Sequence, residues 1–208
     1  MPRLVAFGCS FTQGWDLHDQ YILERQGYYN SQPSNFAYPK ICAKLLNYEC
    51  VNLAKGGNSN IEILSSILKF NFESDDICVV GWSFFDRINF VKYNEDIHNF
   101  DRLPYHIKNS EGLDSSVNTD SNTSLKNYYA IHHAECYLKN KNIKYYGLKW
   151  VHDFYTFIKP SFLHVKLLDF NPRTLISDKA GDNRHPGIKS HKLIGEKLCE
   201  IIKSDLNV

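Results

Sequence analysis

The sequence has no CxxC pair, no long Lys/Arg block and no apolar run that approaches the ~20 residues a membrane helix needs. Each absence removes a class of protein. Without CxxC, zinc-knuckle and thioredoxin-type sites are excluded. The six cysteines (Cys9, Cys42, Cys50, Cys78, Cys136 and Cys199) are read as reduced thiols that pack as small apolar groups. Lys plus Arg total 24 against 23 Asp plus Glu, a formal net charge of +1, so no general field draws the chain to nucleic acid or to an anionic membrane. Met1-Pro2-Arg3 leads into an apolar stretch too short for a signal peptide and soon interrupted by Cys9, Ser10 and Thr12. The expected location is the cytoplasm. His132 and His133 are neighbours on an expected helix and cannot share a face, and the other histidines lack ligand spacing. No catalytic metal is expected. With no internal repeat and no linker, residues 1–208 read as one domain. No feature speaks to oligomeric state.

What is there alternates. Apolar runs at Arg3–Phe7, Tyr48–Leu53, Asp76–Trp82 and Ile143–Trp150 read as strands. Between them, helical spacing predicts helices over Ser34–Leu46, Asn60–Phe70 and Asn127–Asn140, with a last helix from about Pro186 to Ser204. Ser34 or Asn35 is the expected cap of the first helix. The run DICVVGW is apolar throughout, as in a strand covered on both faces. Residues 105–125 are rich in Ser, Asn, Asp and Thr and read as a long loop or lid. The expected architecture is α/β with a mainly parallel sheet.

Ligands of such sheets bind at the carboxyl ends of the strands. Four segments lie there: GCSFT, AKGGNSN, GWSFFDR and AGDNRHPG. Acyl transfer needs a nucleophile, a base, a group that orients the base and donors for an oxyanion. Ser10 supplies a hydroxyl just past the first strand. His185 is a base that titrates near neutral pH, and Asp182 lies three residues before it in the same loop. His185 precedes Pro186, which turns it away from helical angles. Gly57 has no side chain, so its N–H can approach a substrate oxygen.

These blocks, in this order, resemble those of the SGNH (GDSL-like) hydrolase superfamily from Gly8 to His185. The resemblance implies a three-layer α/β/α sandwich, flavodoxin-like in outline, that hydrolyses esters without metal or cofactor. It implies Ser10 as nucleophile, Asp182 and His185 as acid and base, and an oxyanion hole of Ser10 N–H, Gly57 N–H and a third-block donor. Two positions depart from the family. Cys9 stands where Asp is common. Ser83 stands where an Asn amide is expected, so either Ser83 substitutes, or a neighbour such as Asn58 or Asn60 fills the gap, or the enzyme is slow.

Trp15, with Tyr21, Tyr28 and Tyr29 downstream, is a candidate pocket wall for a sugar ring or acyl chain. Trp82 and Asn58 are further candidate substrate contacts. The expected substrate is a short acyl ester, O-acetyl on a carbohydrate or a small molecule. Two other readings stay open: an acyltransferase with the same triad, and a binding or structural domain on this fold with an idle site.

Overall fold

Leu4, Val5, Ala6 and Phe7 are all fully buried, because β1 (Arg3–Gly8) is covered on both faces. The computed structural model describes residues 1–22, 27–28, 32–84, 87–94, 99–106, 120–150 and 167–207. In chain order β1 is followed by the short helix α1 (Ser10–Gln13) and a small antiparallel pair, β2 (Tyr21–Ile22) and β3 (Gly27–Tyr28). Next come α2 (Tyr38–Leu46), β4 (Glu49–Asn52), α3 (Asn60–Lys69) and β5 (Ile77–Trp82). A second antiparallel pair, β6 (Arg87–Asn94) and β7 (Asn99–His106), precedes α4 (Asp120–Asn140), β8 (Lys144–Lys149) and α5 (Ile188–Leu206).

The main sheet has the order β4-β1-β5-β8, with every pairing parallel. Strand parity sorts the two cores. Leu4, Ala6, Ile77, Val79 and Leu148 face α2 and α5, where they meet Tyr38, Cys42, Ile194 and Leu198. Val5, Phe7, Cys78, Val80 and Trp82 face α3 and α4, where they meet Ile63, Ile67, Ile131 and Leu138. The result is the expected three-layer α/β/α sandwich. From β1 the chain goes first to one neighbour, β4, and then to the other, β5. That reversal makes the carboxyl ends of β1 and β5 the switch point at which such sheets bind ligands.

Some boundaries differ from those expected, for local reasons. α2 starts at Tyr38, not Ser34, because Ser34 is engaged elsewhere. Its hydroxyl donates to Asp19 Oδ1 (2.6 Å) and accepts from the Phe36 N–H (3.0 Å). α5 starts at Ile188, beyond Pro186, and its first N–H groups are capped from a distance. Asp178 accepts from the N–H groups of Lys189 (3.0 Å) and Ser190 (2.7 Å). The expected loop at 105–125 is smaller: Tyr105 and His106 end β7, residues 120–125 open α4, and 107–119 lie outside the described residues. Tyr29 lies outside them too. All six cysteines are free. Among the described residues no helix is long and apolar enough to cross a membrane.

His191, on α5, is fully buried. Its Nδ1 accepts the Tyr38 N–H (3.1 Å), one of the N–H groups that the start of α2 would otherwise leave unpaired. Burial pushes its pKa down from 6.5 to about 4, against the opposing pull of Asp178. Between those two values the unfolded chain holds a proton that the folded one refuses, so stability falls as pH falls. The full effect is roughly 3 kcal/mol. Wild type is expected to lose more of its urea midpoint between pH 7 and pH 4.5 than His191→Gln does; equal losses would contradict the burial effect.

Candidate active site

The site starts with two glycines that face each other across the switch point. Gly8 of β1 pairs with Gly81 of β5. A Cβ on either glycine would overlap Thr12 Oγ1, and on Gly8 it would also come within 2.9 Å of the Gly81 carbonyl. Thr12 therefore occupies a notch that only glycine leaves open. Its hydroxyl is hydrogen-bonded to Tyr38 OH (3.1 Å), and its carbonyl accepts from Asn52 Nδ2 (3.0 Å). This seats α1 directly on the sheet end, with Ser10 as its first residue. Cys9 is the N-cap residue, and its carbonyl accepts from the N–H groups of Thr12 and Gln13 (both 3.0 Å).

The loop before α5 comes over Ser10. His185 Nε2 lies 2.8 Å from Ser10 Oγ, and His185 Nδ1 lies 2.5 Å from Asp182 Oδ2. A carboxylate can only accept, so Nδ1–H donates to Asp182, and Nε2 is left to accept the Ser10 proton. Asp182 Oδ1 accepts from the N–H groups of Arg184 (2.9 Å) and His185 (3.0 Å). Burial alone would raise the Asp182 pKa. Those two N–H groups, then the His185 side chain, outweigh it and hold the carboxyl below its ordinary 3.8. The imidazole rests against the Phe11 ring (5.0 Å between centroids), with Trp150 and Phe84 behind it. Ser10 is 6% exposed.

Gly57 has φ +85°, a left-handed conformation that suits glycine, and its N–H has no acceptor among the described residues. Next to it, the Gly56 N–H donates to Oε1 of the buried Gln13 (2.6 Å), and the Trp15 ring lies against Gly56. Trp15 is half-buried at this edge.

The other candidates lie elsewhere. Trp82 is fully buried on the α3/α4 side, and its Nε1–H donates to Tyr145 OH (2.7 Å). It offers no surface to a ligand in this conformation, so the expectation of Trp82 as a substrate contact is corrected. Asn58 is buried and donates to the Gly8 carbonyl (3.2 Å), which bolts the second strand-end loop to β1. Ser59 is the N-cap of α3, in a capping box with Glu62. Asn60 is fully buried. Its Nδ2 donates to the Ser83 carbonyl (3.2 Å) and to Asn127 Oδ1 (2.6 Å), and its Oδ1 accepts from the Ser83 N–H (2.7 Å). Both amide protons are committed, so Asn60 is no oxyanion donor. Its work is to hold Ser83. The Ser83 hydroxyl has no partner among the described residues and is sealed from solvent. A group that water cannot touch is out of reach of a substrate oxygen in this conformation. Among the described residues no cluster of three His, Cys, Asp or Glu side chains is arranged to hold a metal.

Gln13, Phe11 and Asp16 are the site's neighbours that the sequence did not single out. All three fall within GCSFTQGWD, but the buried polar Gln13 and Asp16 have no periodic signature, and Phe11 gains its role only from the His185 ring it meets in the fold.

No family model matches the chain, and no curated protein matches it. Solved structures do. An acetyl xylan esterase (Est2A) from the rumen bacterium Butyrivibrio proteoclasticus superposes with TM-score 0.58 at 16% identity, over 99% of this chain and 64% of that one. A G-D-S-L family protein from Desulfitobacterium hafniense DCB-2 gives 0.54 at 15% identity, over 96% and 98%. The psychrotrophic esterase EstA from Pseudoalteromonas sp. gives 0.53 at 11% identity, over 99% of each chain.

The fold is that of the SGNH hydrolases. This chain spans under two thirds of the length of the acetyl xylan esterase and nearly all of the other two. At such identities the likeness is one of fold, and the chemistry of this chain has to be argued from its own side chains.

Asn60 gives a test of how the third strand end is held. Asn60→Ala strands the buried Ser83 N–H and removes the donor to the Ser83 carbonyl and to Asn127 Oδ1, at a cost of about 2–4 kcal/mol in urea unfolding. A loss under about 1 kcal/mol would mean that Ser83 is held by other contacts.

Proposed function

We propose that this chain is a serine ester hydrolase in which Ser10 is the nucleophile, His185 the general base and acid, and Asp182 the group that orients and stabilises the imidazolium. The observation that carries the reading is the pair of hydrogen bonds that runs from Asp182 through His185 to Ser10 Oγ, the second of which joins residues far apart in the chain.

The proposed steps are these. His185 Nε2 takes the Ser10 proton as Oγ attacks the ester carbonyl. The oxyanion that forms sits against the N–H groups of Ser10 and Gly57, neither of which has another acceptor among the described residues. The imidazolium, held by Asp182, then gives its proton to the departing alkoxide, and the acyl group stays on Ser10. Water enters, loses a proton to His185, attacks the acyl carbonyl and releases the acid, and Ser10 recovers its proton. Asp182 stays ionised throughout, as its depressed pKa favours.

Ser83 stands where an amide donor is expected and its hydroxyl is buried, so the reading uses two backbone donors. Removal of one oxyanion donor typically costs about 10²–10³ in rate. A slow enzyme on simple esters is therefore expected unless Ser83 becomes accessible with substrate bound. The substrate we propose is a short acyl ester, O-acetyl on a carbohydrate. Two things support it: the Trp15 ring at the edge of the Gly56–Gly57 turn, which suits a sugar face, and the fold shared with an enzyme named for acetyl xylan.

A fluorophosphonate probe tests the reading. Wild type is expected to be labelled, and Ser10→Ala and His185→Ala are not. Asp182→Asn is expected to lower turnover of an acetyl ester by about 10⁴. Absence of labelling in a folded wild type, or undiminished labelling of Ser10→Ala, would overturn it.

A further inference from the structure

Gln13 is the last residue of α1, the helix that begins with Ser10, and its polar side chain is fully buried. Its main chain is held on both sides. The N–H donates to the Cys9 carbonyl (3.0 Å), and the carbonyl accepts from the Ser34 N–H (2.9 Å). From this fixed seat the side chain crosses to the second strand end, where Oε1 accepts the Gly56 N–H at 2.6 Å. Gly56 is gripped from two sides. A Cβ there would come within 3.0 Å of the Trp15 ring and 3.2 Å of Gln13 Oε1, so the turn sits closely against both.

The N–H groups of this turn can be followed one by one. Lys55 donates to the Gly8 carbonyl (3.1 Å), Gly56 to Gln13, and Asn58 to the Lys55 carbonyl (3.2 Å). The Gly57 N–H has no acceptor among the described residues, and Gly57 is partly open to solvent. Two consecutive glycines make a very free stretch of backbone. An oxyanion donor is useful only where its direction is set before the reaction. The Gly57 N–H lies in the peptide plane that joins Gly56 to Gly57, so a bond that fixes Gly56 fixes one end of that plane. The bond from Gln13 does this, and it comes from the helix that carries Ser10.

We propose that Gln13 is a positioning residue for the oxyanion hole: its Oε1 holds the Gly56 N–H, and this aims the Gly57 N–H and ties that donor to the nucleophile's own helix. The proposal rests on the serine-hydrolase reading above. Gln13 touches no reacting atom. It keeps the distance between Ser10 Oγ and the Gly57 donor constant, and a misplacement of about 1 Å there can cost about 10²-fold in rate.

The test uses the full chain with Gln13→Met and Gln13→Glu, and p-nitrophenyl acetate as substrate. Gln13→Met keeps the length and bulk of the side chain and loses the acceptor. It is expected to lower kcat by about 10²-fold with KM nearly unchanged. The pH dependence of its kcat/KM is expected to match wild type, because the His185–Asp182 pair is untouched. Gln13→Glu keeps an acceptor oxygen and is expected to turn over about tenfold faster than Gln13→Met. A side chain that only filled space would be replaced well by Met and gain nothing from Glu. Amide hydrogen exchange of wild type needs no variant to fold. The Gly56 amide is expected to exchange more slowly than that of Gly57, and Gly57 to gain protection once a fluorophosphonate is bonded to Ser10. The proposal is overturned if Gln13→Met turns over like wild type, if Gln13→Glu is no better than Gln13→Met, or if the Gly56 amide exchanges as fast as that of Gly57. Should wild type itself fail to label with the fluorophosphonate, the hydrolase reading falls and this one with it. A labelled wild type with an insensitive Gln13→Met removes this one alone.

Discussion

The close contact between Gly8, Gly81 and Thr12 is the constraint from which the rest of the site follows. Two parallel strands end side by side at the switch point, and a Cβ on either glycine would push Thr12 away. With Thr12 in the notch, a helix of four residues can stand on the end of β1, far too short to be stable alone. It is held by packing, by the Thr12–Tyr38 bond and by Asn52. Ser10 is thereby fixed by the sheet rather than by a loop. Rigid placement of the nucleophile is what a reaction that depends on near-contact geometry requires.

Around this seat the structure tolerates several groups that work against stability. Asp16 is a buried carboxyl beside another carboxylate. His191 is an imidazole kept neutral by burial. Ser83 keeps a hydroxyl with no partner among the described residues. All three lie at or next to the strand ends, while the flanking cores are apolar and closely covered. Asp182 is the contrasting case. Its carboxylate is satisfied by two N–H groups and an imidazole, so ionisation is favoured where a stable negative charge is useful.

The sequence made the sandwich legible because parallel strands buried on both faces are written as unbroken apolar runs. It made Ser10, Asp182 and His185 legible as a group because strand ends converge in such a sheet. Trp82 was misjudged although the signal was present: it shares parity with Cys78 and Val80, and all three face the α3/α4 core. Ser34 looked like a helix cap by local rule, but its partner, Asp19, is set by tertiary structure. The opening of α4 was hidden because its Ser-, Asn- and Thr-rich start resembles a loop in composition. β6 and β7 were not among the expected strands, and Pro104 is tolerated in β7 because a two-stranded pair has only edge strands. The commitment of Asn60 to Ser83 joins two separate loops, and no local pattern could announce it.

The most direct measurement is a crystal structure of the protein after reaction with a fluorophosphonate. The expected result is phosphorus bonded to Ser10 Oγ, with a phosphonyl oxygen within about 3 Å of the Ser10 and Gly57 N–H groups and His185 still bonded to Asp182. An unmodified Ser10, or an adduct whose oxygen points away from both N–H groups, would contradict the account.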